Sequence, residues 1–161
     1  MKFLKVIRFD ASDDHVYEPA ALDGEWAVSG CFSFALLQAD ALVGKTKQAF
    51  ANGFLAIPSF GRATFTTVSE IGPAERDALA ETLADHFIER CGAPGPAEAR
   101  HAAEEELAFV AELCAEKPIN TVFTVHRELA EDGNIREAFR IVQAPGEPQH
   151  ARIWDFAEHG E

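Results

Sequence analysis

Arg62-Ala63-Thr64-Phe65-Thr66-Thr67-Val68-Ser69-Glu70-Ile71 is the stretch that decides the predicted fold. It is the longest β-branched and aromatic run in the chain, which is typical of a central strand. Gly72 and Pro73 then end the strand and begin a helix, since proline suits the first helical position. Glu75 adds a carboxylate in the first turn, where it offsets the positive end of the helix dipole. The sequence therefore predicts a sheet with helices packed against it.

Two amphipathic helices follow this strand. Apolar residues recur at helical spacing over 73–91 and again over 96–116, and a Pro- and Gly-containing turn joins the two segments. Two further strands, Ile119–Ala130 and Ile135–Gln143, flank the hairpin sequence Glu131-Asp132-Gly133-Asn134. A three-residue loop with Gly133 or Asn134 left-handed keeps the apolar residues of both strands on one face.

The N-terminal half predicts shorter elements. Strands are expected at 2–9, at 15–21 and from Trp26 towards Leu37 with a bend at Gly30, and a helix is expected from Asp40 to Gly53. Phe54–Ile57 precedes a proline, which confines it to a sheet edge or an extended loop. The predicted class is α+β: a mainly antiparallel sheet of about six strands with three helices, two of them an antiparallel pair on one face. Residues 1–161 are expected to form one domain, with 144–161 a C-terminal extended tail.

Composition limits the classes of partner. The chain has 161 residues, with 14 Lys and Arg against 27 Asp and Glu, so its formal net charge is −13. That charge repels phosphate backbones and anionic lipid, which excludes nucleic acid and membrane surfaces and leaves a cationic partner protein. Three widely spaced cysteines without a Cys-x-x-Cys pair indicate a reducing compartment, and a cytoplasmic location is predicted.

Familiar catalytic and cofactor motifs are incomplete. Ala39–Thr46 meets only a loose phosphate-loop pattern, and its good helix formers favour an ordinary helix bearing Lys45. Cys31 with His126 as its base is less typical than a packing cysteine. His101 and Glu105 have metal-ligand spacing without a second ligand pair. We therefore predict no metal and no cofactor.

Charged residues on apolar faces are the exception. Arg127 shares a strand face with apolar neighbours, Glu137 shares the opposing face, and Glu106 flanks the apolar stripe of the second long helix. Because buried charges must be paired, we predict a structural Arg127–Glu137 pair, diagonal in register and capped by Glu106. The alternative is a ligand pocket with Trp26 as a wall, in which Arg127 holds a carboxylate or phosphate by its two-pronged geometry.

Six segments of the chain form a recognisable combination: Gly24–Gly30, Gln48–Phe50, Gly53–Leu55, Ser59–Gly61, Glu104–Phe109 and Glu131–Glu137. With these segments the chain resembles a family of small bacterial proteins that are classified only as a domain of unknown function, and the resemblance covers most of the chain. It implies no activity, cofactor or site residue.

Two functional hypotheses follow. The first is a non-enzymatic cytoplasmic binding or accessory protein that acts through a surface or a dimer interface. Ile153, Trp154 and Phe156 in the tail favour a homodimer, because large apolar side chains are expected to dock rather than remain in water. The second is a small enzyme or ligand-binding domain that uses Arg127. A pocket that reaches Arg127 would favour the second hypothesis, and a closed, fully paired Arg127–Glu137 contact would favour the first.

Overall fold

A computed structural model describes residues 1–143. The predicted tail 144–161, with its three large apolar residues, lies outside this range. The described part contains seven strands, four α-helices and two short 3-10 helices at Cys31–Phe34 and Ala39–Ala41. In chain order the strands and α-helices are β1 Lys2–Val6, α1 Ser12–Val16, β2 Trp26–Val28, α2 Gly44–Asn52, β3 Phe54–Ile57, β4 Arg62–Ala63, β5 Thr66–Glu70, α3 Pro73–Arg90, α4 Pro96–Cys114, β6 Val122–Leu129 and β7 Ile135–Gln143.

The strands form one antiparallel sheet in the order β4-β3-β2-β1-β5-β6-β7. The predicted α+β class is confirmed, with seven strands where about six were expected. Three helices were predicted, and the additional one is the short α1. In its place the sequence predicted a turn followed by a strand at 15–21. In that segment only Ala20 pairs with the sheet, through an isolated bridge to Arg62.

The run Arg62–Ile71 is not one strand. Its first two residues form β4 at a sheet edge, whereas Thr66–Glu70 forms β5 between β1 and β6. In a flat sheet these strands, four spacings apart, would be separated by about 19 Å. Ala63 and Thr66 are three Cα steps apart and reach at most about 11 Å. The sheet therefore curls, so that Thr64 and Phe65 can join the edge strand β4 to β5.

A buried carboxylate stabilises the break between β4 and β5. Asp13, in α1, accepts hydrogen bonds from the Thr64 amide at 3.3 Å and the Thr64 hydroxyl at 2.8 Å. The Tyr17 hydroxyl also lies 3.0 Å from Thr64 Oγ1. Asp13 satisfies the Thr64 amide outside the strand ladder, so the chain leaves β4 without an unpaired donor at Thr64.

The two long helices, α3 and α4, pack on each other. Helix α4 also packs on β1 and β2, and α3 packs on β3. α3 begins as predicted, because Pro73 fills its first position and Glu75 Oε1 accepts the Gly72 amide at 3.2 Å. Arg76 of α3 bonds Glu104 of α4 at 2.7 Å. The apolar stripes of both helices enter the core, whose helical members are Leu79, Ala80, Leu83, Ala84, Phe87, Ala99, Ala103, Leu107, Val110 and Cys114.

Three element boundaries near the site differ from the prediction. Strand β2 ends at Val28, because Gly30 adopts a left-handed φ of 78° and a 3-10 helix follows. The helix expected from Asp40 begins only at Gly44. Strand β3 is not an edge, since it pairs with β2 and β4. The proline constraint does not apply to it, because Pro58 lies just beyond the last paired residue.

The β6–β7 hairpin has the predicted three-residue loop. Ala130 and Asn134 are hydrogen-bonded at 2.8 Å, and Gly133 is left-handed with a φ of 88°. Arg127 and Glu137 are directly opposite each other in this register. The predicted diagonal placement of these two residues is therefore wrong. The loop comprises residues 131–133, and this register sets Glu137 directly opposite Arg127.

Candidate functional site

The Arg127 guanidinium is the centre of a buried polar cluster. Its Nε donates to Glu137 Oε2 at 2.7 Å, and Nη1 donates to the carbonyls of Phe50 at 3.0 Å and Gly53 at 2.9 Å. Its Nη2 donates to the Ser29 carbonyl and, at 3.3 Å, to Ser29 Oγ. These contacts use all five N–H donors that an arginine carries. The side chain is 0% exposed, so no donor is left to face a ligand from outside.

Glu137 completes the predicted ion pair. Its Oε2 accepts the Arg127 Nε and also the Ser29 hydroxyl, the latter at 2.5 Å. Its side chain is 18% exposed, so this carboxylate retains some contact with water. The pairing of Arg127 with Glu137 is confirmed. The pair also fixes Ser29 and the end of α2 against β6, because the same guanidinium bonds the backbone of both segments.

Arg62 brings a second guanidinium into the cluster. It donates to the Gly53 carbonyl at 3.2 Å and to the Gly30 carbonyl at 3.5 Å, and it lies 4.7 Å from the centre of the Phe34 ring. In the described part of the chain, no carboxylate forms an ion pair with it. Burial lowers the pKa of Arg62, and the Arg127 cation lowers it further. The cluster is therefore rich in positive charge.

Glu106 of α4 lies beside this pair rather than in its hydrogen-bond network. Its Oε1 is buried, and no group among residues 1–143 hydrogen-bonds to it. Burial and the negative charge of Glu137 raise the pKa of Glu106 to about 7, against an opposing effect of Arg127. The carboxyl group therefore holds its proton to a higher pH than an ordinary glutamate, and it forms no hydrogen-bonded cap through this oxygen.

The structure thus brings together three of the four predicted site residues and leaves out Trp26. The Trp26 ring packs edge-on against Phe3 at 6.2 Å, with the Lys5 ammonium 4.6 Å above it. Both contacts are on β1. Trp26 is two residues from Val28, at the far end of β2 from the Gly30 bend.

Ser29 and Arg62 belong to the cluster although the sequence did not predict them there. Ser29 has no periodic signal of its own, and Arg62 was assigned to the start of a central strand. The available signal was Gly30. A Cβ there would lie 2.5 Å from Leu55 Cβ and 2.7 Å from Arg62 Nη1. The glycine is therefore required both by its φ and by the close approach of the arginine.

A second feature is an open groove of about 810 Å³ between α3 and the turn that follows β3. His86 is among its lining residues, and the His86 ring stacks on Phe60 with centroids 4.0 Å apart and planes inclined by 12°. Phe32 meets the same His86 ring edge-on at 6.1 Å. The residues that line the groove are Pro19, Ser33, Ser59, Phe60, Thr82, Asp85, His86, Glu89, Arg90 and Cys91.

The turn that carries Phe60 is held in place by Glu25. Its carboxylate accepts the Ser59 amide at 2.9 Å and the Ser59 hydroxyl at 2.6 Å. Phe60 has a positive φ of 59°, which is uncommon for a residue with a side chain. The sequence predicted no site role for Phe60 or for His86.

The family assignment comes from comparison with protein-family models. A model described as a family of unknown function matches residues 1–161. The chain belongs to DUF6505. The expected membership in a family without an assigned function is therefore confirmed. Searches of the curated proteins and of the solved structures found no match.

Two further observations apply to this DUF6505 chain. In residues 1–143, no helix is both long and apolar enough to cross a membrane. Over the same range, no three His, Cys, Asp or Glu side chains are grouped so that they could hold a metal ion. The two features with defined geometry are the Arg127 cluster and the His86 groove.

Proposed function

We propose that this chain is a non-enzymatic cytoplasmic binding or accessory protein that acts through its surface as a homodimer, with residues 1–161 as one domain. The observation that carries the proposal is the saturation of Arg127. All five of its donors bond groups of the same chain, and the side chain is 0% exposed. A structural role in joining three segments explains these contacts without a ligand.

The alternative, in which Arg127 recognises a carboxylate or phosphate, requires that a ligand displace existing partners. A bidentate ligand would have to break two of the bonds to Glu137, Ser29, Phe50 or Gly53, and the buried carbonyl of Ser29 or Phe50 would lose its donor if its bond were one of them. We expect sodium phosphate and sodium citrate to leave the melting temperature unchanged at constant ionic strength. A rise that is absent in Arg127→Lys would support the ligand hypothesis instead.

The proposed dimer interface is the outer edge of β7. This strand has nine residues and ends the sheet, and no other strand in the described part pairs with its outer side. The opposite edge strand, β4, has only two residues. Ile141 and Val142 near the end of β7 are 47% and 43% exposed. Long edge strands with exposed apolar residues are templates for pairing.

A second copy fits this edge by symmetry. Two β7 strands related by a two-fold axis pair antiparallel, so each residue contact is made twice. The segment that follows β7 in sequence carries Ile153, Trp154 and Phe156, whose large apolar side chains favour a further contact with a second copy. We therefore favour the second copy over a partner of different sequence.

Light scattering on a sizing column tests the dimer. The full chain should elute with twice the mass of one chain. Val142→Lys adds a charge at the edge and should shift the equilibrium to the monomer, because an unpaired lysine opposes strand addition. Leu36→Lys, at a site 93% exposed on another part of the surface, is the matched control and should remain dimeric. A full chain that is monomeric at all accessible concentrations would refute the dimer.

Truncation after Gln143 separates the edge from the tail. If the edge alone suffices, the truncated chain stays dimeric and Val142→Lys dissociates it. If the truncated chain is a soluble monomer, the tail provides the interface.

A further inference from the structure

We infer that the groove between α3 and the 58–61 turn binds a basic segment of a partner protein. The inference rests on the proposed binding function and adds the site and the chemistry of the partner. The groove is open and about 810 Å³ in volume, which accommodates side chains of an extended peptide. Three separate features favour a ligand that carries arginine or lysine: the acidic residues of the groove, its aromatic lining and the rigid turn beside it.

The charge of the groove is complementary to a cation. Asp85 and Glu89 lie four residues apart and both line the groove. The C-terminal end of α3, at Arg90, borders it and adds the partial negative charge of the helix dipole. Arg90 is the basic residue of the lining and offsets part of this charge. The net charge of −13 on the whole chain attracts a basic partner from a distance.

A stacked pair of rings lines the groove. The Phe60 and His86 centroids are 4.0 Å apart and the planes are inclined by 12°, so each ring covers one face of the other and a cation can stack on an outer face of the pair. Burial lowers the pKa of His86, and the nearby Arg90 cation lowers it further. The lowered pKa disfavours the protonated imidazole, so His86 adds little positive charge that would repel a cation. A guanidinium stacks on neutral rings while its N–H groups reach neighbouring carboxylates.

The turn is held in the shape that presents Phe60. The Phe60 amide donates to the Ala56 carbonyl at 2.8 Å, and the Ala56 amide donates to the Gly61 carbonyl at 2.8 Å. Glu25 bonds the intervening Ser59 twice. A Cβ at Gly61 would lie 2.6 Å from the backbone of Ala20, so this residue packs directly on the neighbouring segment. A ring presented by such a constrained turn loses little entropy when a ligand binds.

A peptide titration followed by amide chemical shifts tests the inference. The probe is an N-acetylated five-residue peptide with alternating alanine and arginine, and its glutamate analogue is the negative control. At physiological salt the arginine peptide should shift the amides of Ser33, Ser59, Phe60 and His86, and the glutamate peptide should not. Salt at this level screens attraction to the more distant acidic surface.

Two matched double variants separate the groove from general charge. Asp85→Asn with Glu89→Gln should weaken the binding of the arginine peptide about five- to tenfold, as expected for the loss of two exposed ion pairs. Asp77→Asn with Glu81→Gln changes the net charge by the same amount on the same helix, at positions outside the groove lining. This control should weaken the binding of the arginine peptide about twofold or less. Phe60→Gly removes the ring at a position whose φ suits glycine, and it should also weaken binding.

Equal weakening by the two double variants, or shifts spread over the whole surface, would overturn the inference. So would the absence of shifts at saturating peptide. The test is independent of the dimer proposal, because the groove lies on α3 and the proposed interface on β7. A chain that dimerises through β7 but ignores the arginine peptide would refute the groove alone.

Discussion

Replacing Arg127 by methionine should lower the free energy of unfolding by about 5 kcal/mol. Glu137 would lose its cationic partner, and stranding a buried carboxylate costs 3–5 kcal/mol. Its 18% exposure and its bond from Ser29 place the cost at the lower end, about 3 kcal/mol. The carbonyls of Ser29 and Phe50 would each lose a donor, at about 1 kcal/mol apiece. The Gly53 carbonyl keeps its bond from Arg62.

The double variant Arg127→Met with Glu137→Leu separates these contributions. Removing both charges eliminates the stranded carboxylate but leaves the Ser29 and Phe50 carbonyls without donors. We expect it to be less stable than the natural chain by about 2 kcal/mol, and more stable than Arg127→Met by about 3 kcal/mol. Urea unfolding followed by tryptophan fluorescence and by circular dichroism measures all three proteins. The double variant remains informative if Arg127→Met fails to fold.

Two outcomes would refute this reasoning. A double variant as stable as the natural chain would show that the backbone carbonyls do not depend on Arg127. A loss of less than about 1 kcal/mol for Arg127→Met would show that the pair is solvated rather than buried. Glu137→Gln serves as the milder control, because an amide oxygen still accepts from Ser29 and Arg127.

Two further predictions concern Glu106 and Gly30. The pKa of Glu106 is raised to about 7 in the folded chain, so in the interval from about 4.5 to 7 the folded state binds more protons than the unfolded state. The free energy of unfolding should therefore fall as the pH rises through this interval. Glu106→Gln should therefore be more stable than the natural chain by up to about 3 kcal/mol at pH 8 and by less than about 1 kcal/mol at pH 5; equal differences at both pH values in urea titrations would contradict it. Gly30→Ala should cost about 3 kcal/mol, since φ is 78° and the new Cβ meets Leu55 and Arg62 at 2.5 and 2.7 Å. Gly24→Ala is the matched control, because Gly24 has a φ of 89° and nothing lies within 4 Å of its added Cβ; it should cost only about 1 kcal/mol. Thermal melts of both variants measure the difference.

The sequence by itself determined the elements whose signals are local. The helices at 73–90 and 96–114 follow from apolar spacing, a proline at each start and a glycine-containing connection. The three-residue length of the hairpin loop follows from Gly133 and from the requirement that both strands keep their apolar residues on one face, but this requirement does not choose between registers that differ by two residues. That alternation also placed Arg127 and Glu137 on the same face, which was sufficient to predict the pair.

Only the tertiary structure decided how the run Arg62–Ile71 is used. Its composition is that of one strand, yet it is divided at Thr64 because Asp13, 51 positions away, accepts both the amide and the hydroxyl of that residue. The same division places Arg62 at a sheet edge, where curling brings it over Gly30 and Gly53. Helices and tight turns are fixed by neighbours within a few residues, whereas strand pairing and buried polar contacts join groups remote in sequence. Their partners are therefore set by how the whole chain packs rather than by any local pattern.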